Sequence, residues 1–112
     1  MANKQSSNVD AWLGRETNHI RKALESASKH FDGNDNLTVN TLESVYGQES
    51  SFGTMPGKRG SAGAAGHFKL EPDTAKRYGL SVSKKNDQRF DIDYASSAAA
   101  RYLKDFHTMF GK

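Results

Sequence analysis

Residues 48–79, QESSFGTMPGKRGSAGAAGHFKLEPDTAKRYG, decide the reading of this chain. They join the end of an apolar helical stripe to a glycine- and serine-rich loop, and then to a helix that opens on a proline. Just upstream, Leu42, Val45, Tyr46 and Glu49 fall at i, i+3, i+4 and i+7, with Phe52 a turn further on. That spacing is one face of an α-helix, predicted from Thr38 to Ser51. The apolar face turns to the core, so the pattern predicts Glu49 on the buried side. An ionised carboxylate without a partner is costly to bury, and desolvation favours its neutral form. A carboxylic acid held neutral near working pH can give its proton to a leaving oxygen. The alternative is that the helix is ending there, with Glu49 in solvent or paired to Lys58 or Arg59.

The loop carries Gly53, Gly57, Gly60, Gly63 and Gly66 within 14 positions, with Ser61, Ala62, Ala64 and Ala65 among them. Glycine admits positive φ and lets a ligand approach the backbone. A flexible linker has a similar composition, but this one runs straight into Phe68, Leu70 and Pro72. Three blocks therefore follow in order: Glu49-Ser50-x-Phe52, Ser61-x-Gly63-Ala64-x-Gly66 and Pro72-x-Thr74-Ala75.

That order resembles the lytic transglycosylase family of bacterial cell-wall enzymes, the soluble lytic transglycosylase and goose-type-lysozyme-like catalytic domains. The resemblance implies a mainly α, lysozyme-like α+β fold: a small helical domain whose glycine-rich loop, or a short hairpin in residues 53–69, lines a glycan groove. It implies Glu49 as a single catalytic acid and base. It also implies sugar contacts from Ser61, Gly63, Ala64, Gly66, His67, Phe68 and Lys69. The implied reaction cuts the MurNAc–GlcNAc β-1,4 bond of peptidoglycan and leaves a 1,6-anhydro sugar. Glu43, six positions from Glu49, points away around the helix and leaves only one well-placed carboxyl. Ser50 and Thr74 are read as bracing the local structure.

Two departures qualify the match. The family's Gly-Leu-Met-Gln is here Gly66-His67-Phe68-Lys69. Lysine donates hydrogen bonds but cannot accept them, so Lys69 suits an anionic group such as a lactyl or peptide carboxylate. The family's later Tyr-Asn-Ala-Gly helix has no counterpart before Lys112, so the chain reads as a domain truncated at its C-terminal end. Two rival readings follow, a catalytically impaired peptidoglycan-binding module and a hydrolytic lysozyme.

A chain of 112 residues is one domain. Residues 1–9 read as a disordered tail and residues 10–112 as the domain. From an N-cap at Asp10, Trp12, Leu13, Glu16, Ile20, Ala23, Leu24, Ala27 and Phe31 set out an amphipathic helix to about Phe31. Pro72 opens a short helix that stops at Gly79, residues 80–91 read as polar and irregular, and a last helix starts near Asp91 or Asp93. Its alanines, Ala95, Ala98 and Ala99, suit close packing. The chain has no cysteine, which excludes thiol catalysis and disulfides. No apolar run approaches a membrane span, and the polar N-terminus is not a signal peptide. A peptidoglycan substrate would place the protein in the periplasm or cell envelope, with a leader removed or with delivery by a secretion or phage assembly. The net charge of +3 is spread along the chain. It suits an anionic polymer but shows no nucleic-acid motif. Nothing in the pattern points beyond a monomer.

One further constellation stands apart. Asp32, Asn34, Asn36, Thr38 and Glu43 have the spacing of a calcium-binding loop between helices. Leu37 stands where such a loop needs glycine, so the expectation is no cofactor, or weak calcium at most. His19, His30, His67 and His107 lack metal-ligand spacing.

Overall fold

A computed structural model of the chain describes residues 17–33 and 36–110. Helix α1 (residues 17–28) tightens into a 3-10 turn, Lys29–Phe31. Helix α2 (Val39–Ser50), helix α3 (Pro72–Arg77), a second 3-10 turn (Gln88–Phe90) and helix α4 (Ile92–Phe110) follow. The expected tail, the helix start at Asp10, and Trp12, Leu13 and Glu16 lie outside the described residues.

Local chemistry sets the boundaries. Thr38 takes extended backbone before α2, and its N–H donates to Thr41 Oγ1 at 3.1 Å, satisfying a donor that the helix start leaves free. The helix ends where Ser51 turns left-handed, at φ 51°. Proline opens α3, where its fixed φ suits a first helical position. Asp91 Oδ1 accepts the Asp93 N–H at 3.0 Å and caps α4.

Helix α4 is the spine. Ala95, Ala98, Ala99 and Ala100 are all buried, and so small a face lets neighbours approach closely. Ser96 Oγ lies 3.4 Å from the carbonyl oxygen of Ala23 on α1. Leu24, Phe31, Leu42, Tyr46, Phe68, Leu70 and Ile92 fill the core around it. Each large apolar side chain so buried stabilises the fold by about 1.5–3 kcal/mol. Among the described residues no helix is long and apolar enough to cross a membrane.

The glycine-rich segment is a loop. Its strand pairing among the described residues is one antiparallel bridge, Ala65 to Leu70, with N–H···O distances of 3.2 and 3.1 Å. Residues 80–91, expected to be polar and irregular, hold the structure that pins this loop. Asp87 and Arg89 are both fully buried. Arg89 Nε donates to Asp87 Oδ1 at 2.9 Å and Nη2 to Oδ2 at 2.7 Å. Nη1 donates to the carbonyls of Gly63 at 2.8 Å and Leu70 at 3.0 Å, and Nη2 also to that of Ser61 at 2.9 Å. All five guanidinium N–H groups are thereby engaged. Asp87 Oδ2 takes the Gly60 N–H at 2.7 Å. Gly66 sits against the same turn at φ 88°, and a Cβ there would overlap the Arg89 carbonyl. The glycine is required both for the backbone angle and for the space.

Candidate functional site

Glu49 lies on the last turn of α2. The buried line of that helix runs Leu42, Tyr46, Ser50, and Glu49, expected on the buried side, is exposed. The core is reached at i, i+4 and i+8, so the stripe drifts past Glu49 and delivers Ser50 instead. Glu49 has no ion-pair partner among the described residues. Arg59, a candidate partner, stacks over the Phe90 ring at 5.3 Å.

Glu49 lines a cleft of about 300 Å³ whose other walls are Val45, Phe68, Leu70, Ala99, Tyr102 and Leu103. These come from α2, the end of the glycine-rich loop and α4. Glu49 is the only carboxyl lining this cleft among the described residues. Tyr102 joins this cleft from α4. Its ring, edge-on to Tyr78 at 6.1 Å, forms the far wall.

The turn after Glu49 is tightly specified. Ser50 Oγ donates to the Tyr46 carbonyl at 3.1 Å and accepts the Gly53 N–H at 3.0 Å, the bracing role expected of it. Ser51, Phe52 and Gly53 all have positive φ, at 51°, 57° and 81°. Two consecutive non-glycine residues in that region store backbone strain, which concentrates at functional sites. Phe52 is thereby held edge-on to Tyr46, with ring centroids 5.9 Å apart, and remains 63% exposed.

The residues expected to contact sugar divide. Phe68 joins Glu49 in the cleft. Ser61 lines a separate, more polar depression of about 360 Å³ with Gly60, Ala62, Glu71, Asp73 and Lys76, and its Oγ takes the Gly63 N–H at 3.0 Å. The carbonyls of Ser61 and Gly63 are held by Arg89. Ala64 is exposed and Gly66 is buried. His67 turns inward, its ring 5.8 Å from that of Tyr46 and its Nε2 3.1 Å from the Phe90 carbonyl oxygen. Burial holds this imidazole below the ordinary histidine range, against the opposing pull of the Phe90 bond and the Asp91 charge. Lys69 adopts φ 51°, with its ammonium beside Gly57.

Three of the calcium-type ligands, Asp32, Thr38 and Glu43, are otherwise engaged. Asp32 pairs with Lys104, which holds its carboxyl below the usual range. Glu43 pairs with Arg21 at 3.3 Å, on the wall of another cleft across α2 from Glu49. Thr38 caps α2, Leu37 is buried, and Asn34 lies outside the described residues. No group of three or more metal-binding side chains converges among the described residues.

The Asp87–Arg89 clamp was missed in the sequence. Its one visible signal was an Asp-x-Arg just ahead of a helix start.

Comparison with curated proteins and with solved structures finds no match. The family model of the transglycosylase SLT domain matches residues 26–112. That span takes in α2 with Glu49, the clamped loop, and the whole of α4. A lone carboxyl at a helix end, an apolar cleft and a pinned glycine-rich loop thus meet in a helical, lysozyme-like domain, and the chain belongs to the transglycosylase SLT domain family, whose chemistry is the lytic cleavage of peptidoglycan.

Proposed function

We propose that this chain is a peptidoglycan lytic transglycosylase that cuts the MurNAc–GlcNAc β-1,4 bond, with Glu49 as its only acid and base. The observation that carries the reading is the single carboxyl in the cleft. Glycosidases that add water commonly use two carboxyl groups on either side of the bond. A cleft offering one suits a reaction in which the substrate supplies its own nucleophile.

Glu49, in its protonated form, would give its proton to the glycosidic oxygen. The C1–O4 bond breaks and its electron pair stays with the departing GlcNAc oxygen. The resulting carboxylate then takes the proton from the C6 hydroxyl of the muramic acid. That oxygen attacks C1, closes the 1,6-anhydro ring and leaves Glu49 protonated again. No water is consumed. Glu49 is open to solvent in the free protein, so a sugar laid over the cleft would itself exclude the competing water.

Phe68 and Tyr102 would offer apolar walls to the sugar rings. The exposed backbone around Ala64 would offer hydrogen bonds, and Lys69 would take a lactyl or stem-peptide carboxylate. The substrate places the action at the cell envelope.

The test is mass spectrometry of soluble products released from purified peptidoglycan by the parent and by Glu49→Gln. Anhydromuropeptides from the parent alone are the expected result. Hydrated muropeptides would make the protein a lysozyme. Wall binding without release, by folded parent protein, would make it a binding module.

A further inference from the structure

His67 is a half-buried titratable group that the cleavage step leaves unused. Its Nε2 faces the Phe90 carbonyl at 3.1 Å, and only an N–H can bond a carbonyl, so Nε2 carries the proton. In the neutral ring Nδ1 is then a bare acceptor. It is buried, with no hydrogen-bond partner among the described residues. The backbone of Gly53 lies against it: a Cβ built there would be 3.2 Å from Nδ1 and 2.6 Å from Tyr46 Oη. The Gly53 N–H is tied to Ser50 Oγ at 3.0 Å, and Ser50 follows Glu49 directly. His67 also closes the loop from behind, its own N–H donating to the Arg89 carbonyl at 2.9 Å.

We infer that His67 is a positioning residue for Glu49: its neutral ring packs the Ser50–Gly53 turn into place, and protonation of Nδ1 releases that turn and switches cleavage off in acid. The inference rests on the reading of Glu49 as the acid and base. A proton on Nδ1 would put a donor and a positive charge against the Gly53 backbone and the Tyr46 ring, at an atom that has no hydrogen-bond partner among the described residues. An unpaired buried donor is costly, and an unpaired buried charge more so. The titratable groups that bear on the ring are the Tyr46 phenol from α2 and the Asp91 carboxylate at the head of α4, while the Arg89 guanidinium is committed to Asp87 and the loop carbonyls. Asp91 favours the proton, but burial opposes it and prevails. Within the fold, the yielding element is the turn, whose Ser51 and Phe52 are already strained.

An NMR titration of the full chain tests this. The His67 ring should titrate below the ordinary 6.5, and the amides of Ser50, Ser51 and Gly53 should shift with the same midpoint. In His67→Leu, and in His67→Gln, which keeps a donor for Phe90 without titrating, those amides should be flat over that range. The acid limb of kcat/KM on peptidoglycan should share the parent's midpoint and be lost in both variants. A His67 midpoint at or above 6.5, or turn amides that ignore it, would overturn the inference. So would an acid limb unchanged in both variants. The amide titration needs no turnover, so its outcome is independent of whether Glu49→Gln abolishes cleavage.

Discussion

Arg89 lies across the carboxylate of Asp87 with two parallel contacts, 2.9 Å to Oδ1 and 2.7 Å to Oδ2, and neither side chain reaches solvent. A buried ion pair is weak evidence of net stability, because desolving both charges offsets their attraction. Breaking one is a different matter. Arg89→Met would strand the buried Asp87 carboxylate, leave the carbonyls of Ser61 and Gly63 without their donor, and leave that of Leu70 with the Ala65 N–H alone. We expect a loss of about 3–5 kcal/mol, read as a lowered urea midpoint. Arg89→Lys should rescue little, since an ammonium has three donors and no fork to match the carboxylate. Full stability in Arg89→Lys would mean that the planar geometry is unimportant.

The same pair sets an acid limit. Burial pushes the Asp87 carboxyl up, but the hydrogen bonds from Arg89 and the Gly60 N–H, with the guanidinium charge, outweigh it and hold the group below the usual carboxylate range. Unfolded, it would protonate near pH ~3.9. Between that value and the lower folded one, the unfolded chain binds more protons. The stability from this group is therefore full above the unfolded value and is lost as pH falls through the folded one. His67 acts earlier by the same sign, since its folded value also lies below its unfolded one of 6.5. The thermal midpoint should thus fall in two stages on acidification, the first below about pH 6.5 and the second below about pH 4. His67→Leu should remove only the first. A single stage common to both proteins would contradict this assignment.

Much of the frame was legible in the residues themselves. Proline at 72 and the apolar spacing of α2 and α4 gave those helices to within a residue or two, because caps and periodicity act locally. The loop between them was recognisable from its small residues. What holds that loop was not, since the carbonyls that Arg89 binds lie 19 to 28 positions away and no side-chain pattern marks a carbonyl. Glu49 ends the apolar stripe of α2 by its spacing, yet it is exposed. The four-residue step from Tyr46 to Ser50 places a hydroxyl at the buried position, and apolar counting passes over it.

Gly66→Ala tests how closely loop and turn are pressed together. The new methyl would meet the Arg89 carbonyl, and the backbone would have to hold φ 88° with a side chain. Backbone strain and overpacking act together here, so the loss should exceed about 3 kcal/mol. The measurement is again the denaturation midpoint. A change under about 1 kcal/mol would show that the Gln88–Phe90 turn can move aside and that the clamp is softer than its hydrogen bonds suggest.

Ser51→Gly should act in the opposite direction. Ser51 ends α2 in the left-handed region, which costs an L-residue about 1–2 kcal/mol and glycine far less. Its side chain is exposed, so little packing is lost. Part of the gain is offset by the greater freedom of glycine in the unfolded chain. A net stabilisation of about 0.5–1 kcal/mol is expected from these opposing effects, seen as a raised thermal midpoint. A destabilised variant would mean that the Ser51 side chain makes a contribution the exposed position does not suggest.

Tyr102 separates binding from chemistry in the cleft. Its ring stands between Tyr78 and Phe106, with centroids 6.1 and 6.3 Å away, and faces the space beside Glu49 from α4. A wall of this kind meets substrate and transition state alike. Truncating it to alanine should therefore raise KM while kcat is largely kept, the mark of uniform binding. A tenfold rise corresponds to about 1.4 kcal/mol, well within what one aromatic contact supplies. Tyr102→Phe keeps the wall and removes the hydroxyl. Its effect should stay within the roughly two- to tenfold expected of one net hydrogen bond. If Tyr102→Phe instead lowered kcat by a hundredfold with KM unchanged, the phenol would be taking part in proton transfer. The cleft would then hold a second catalytic group, and Glu49 could no longer be its only acid and base.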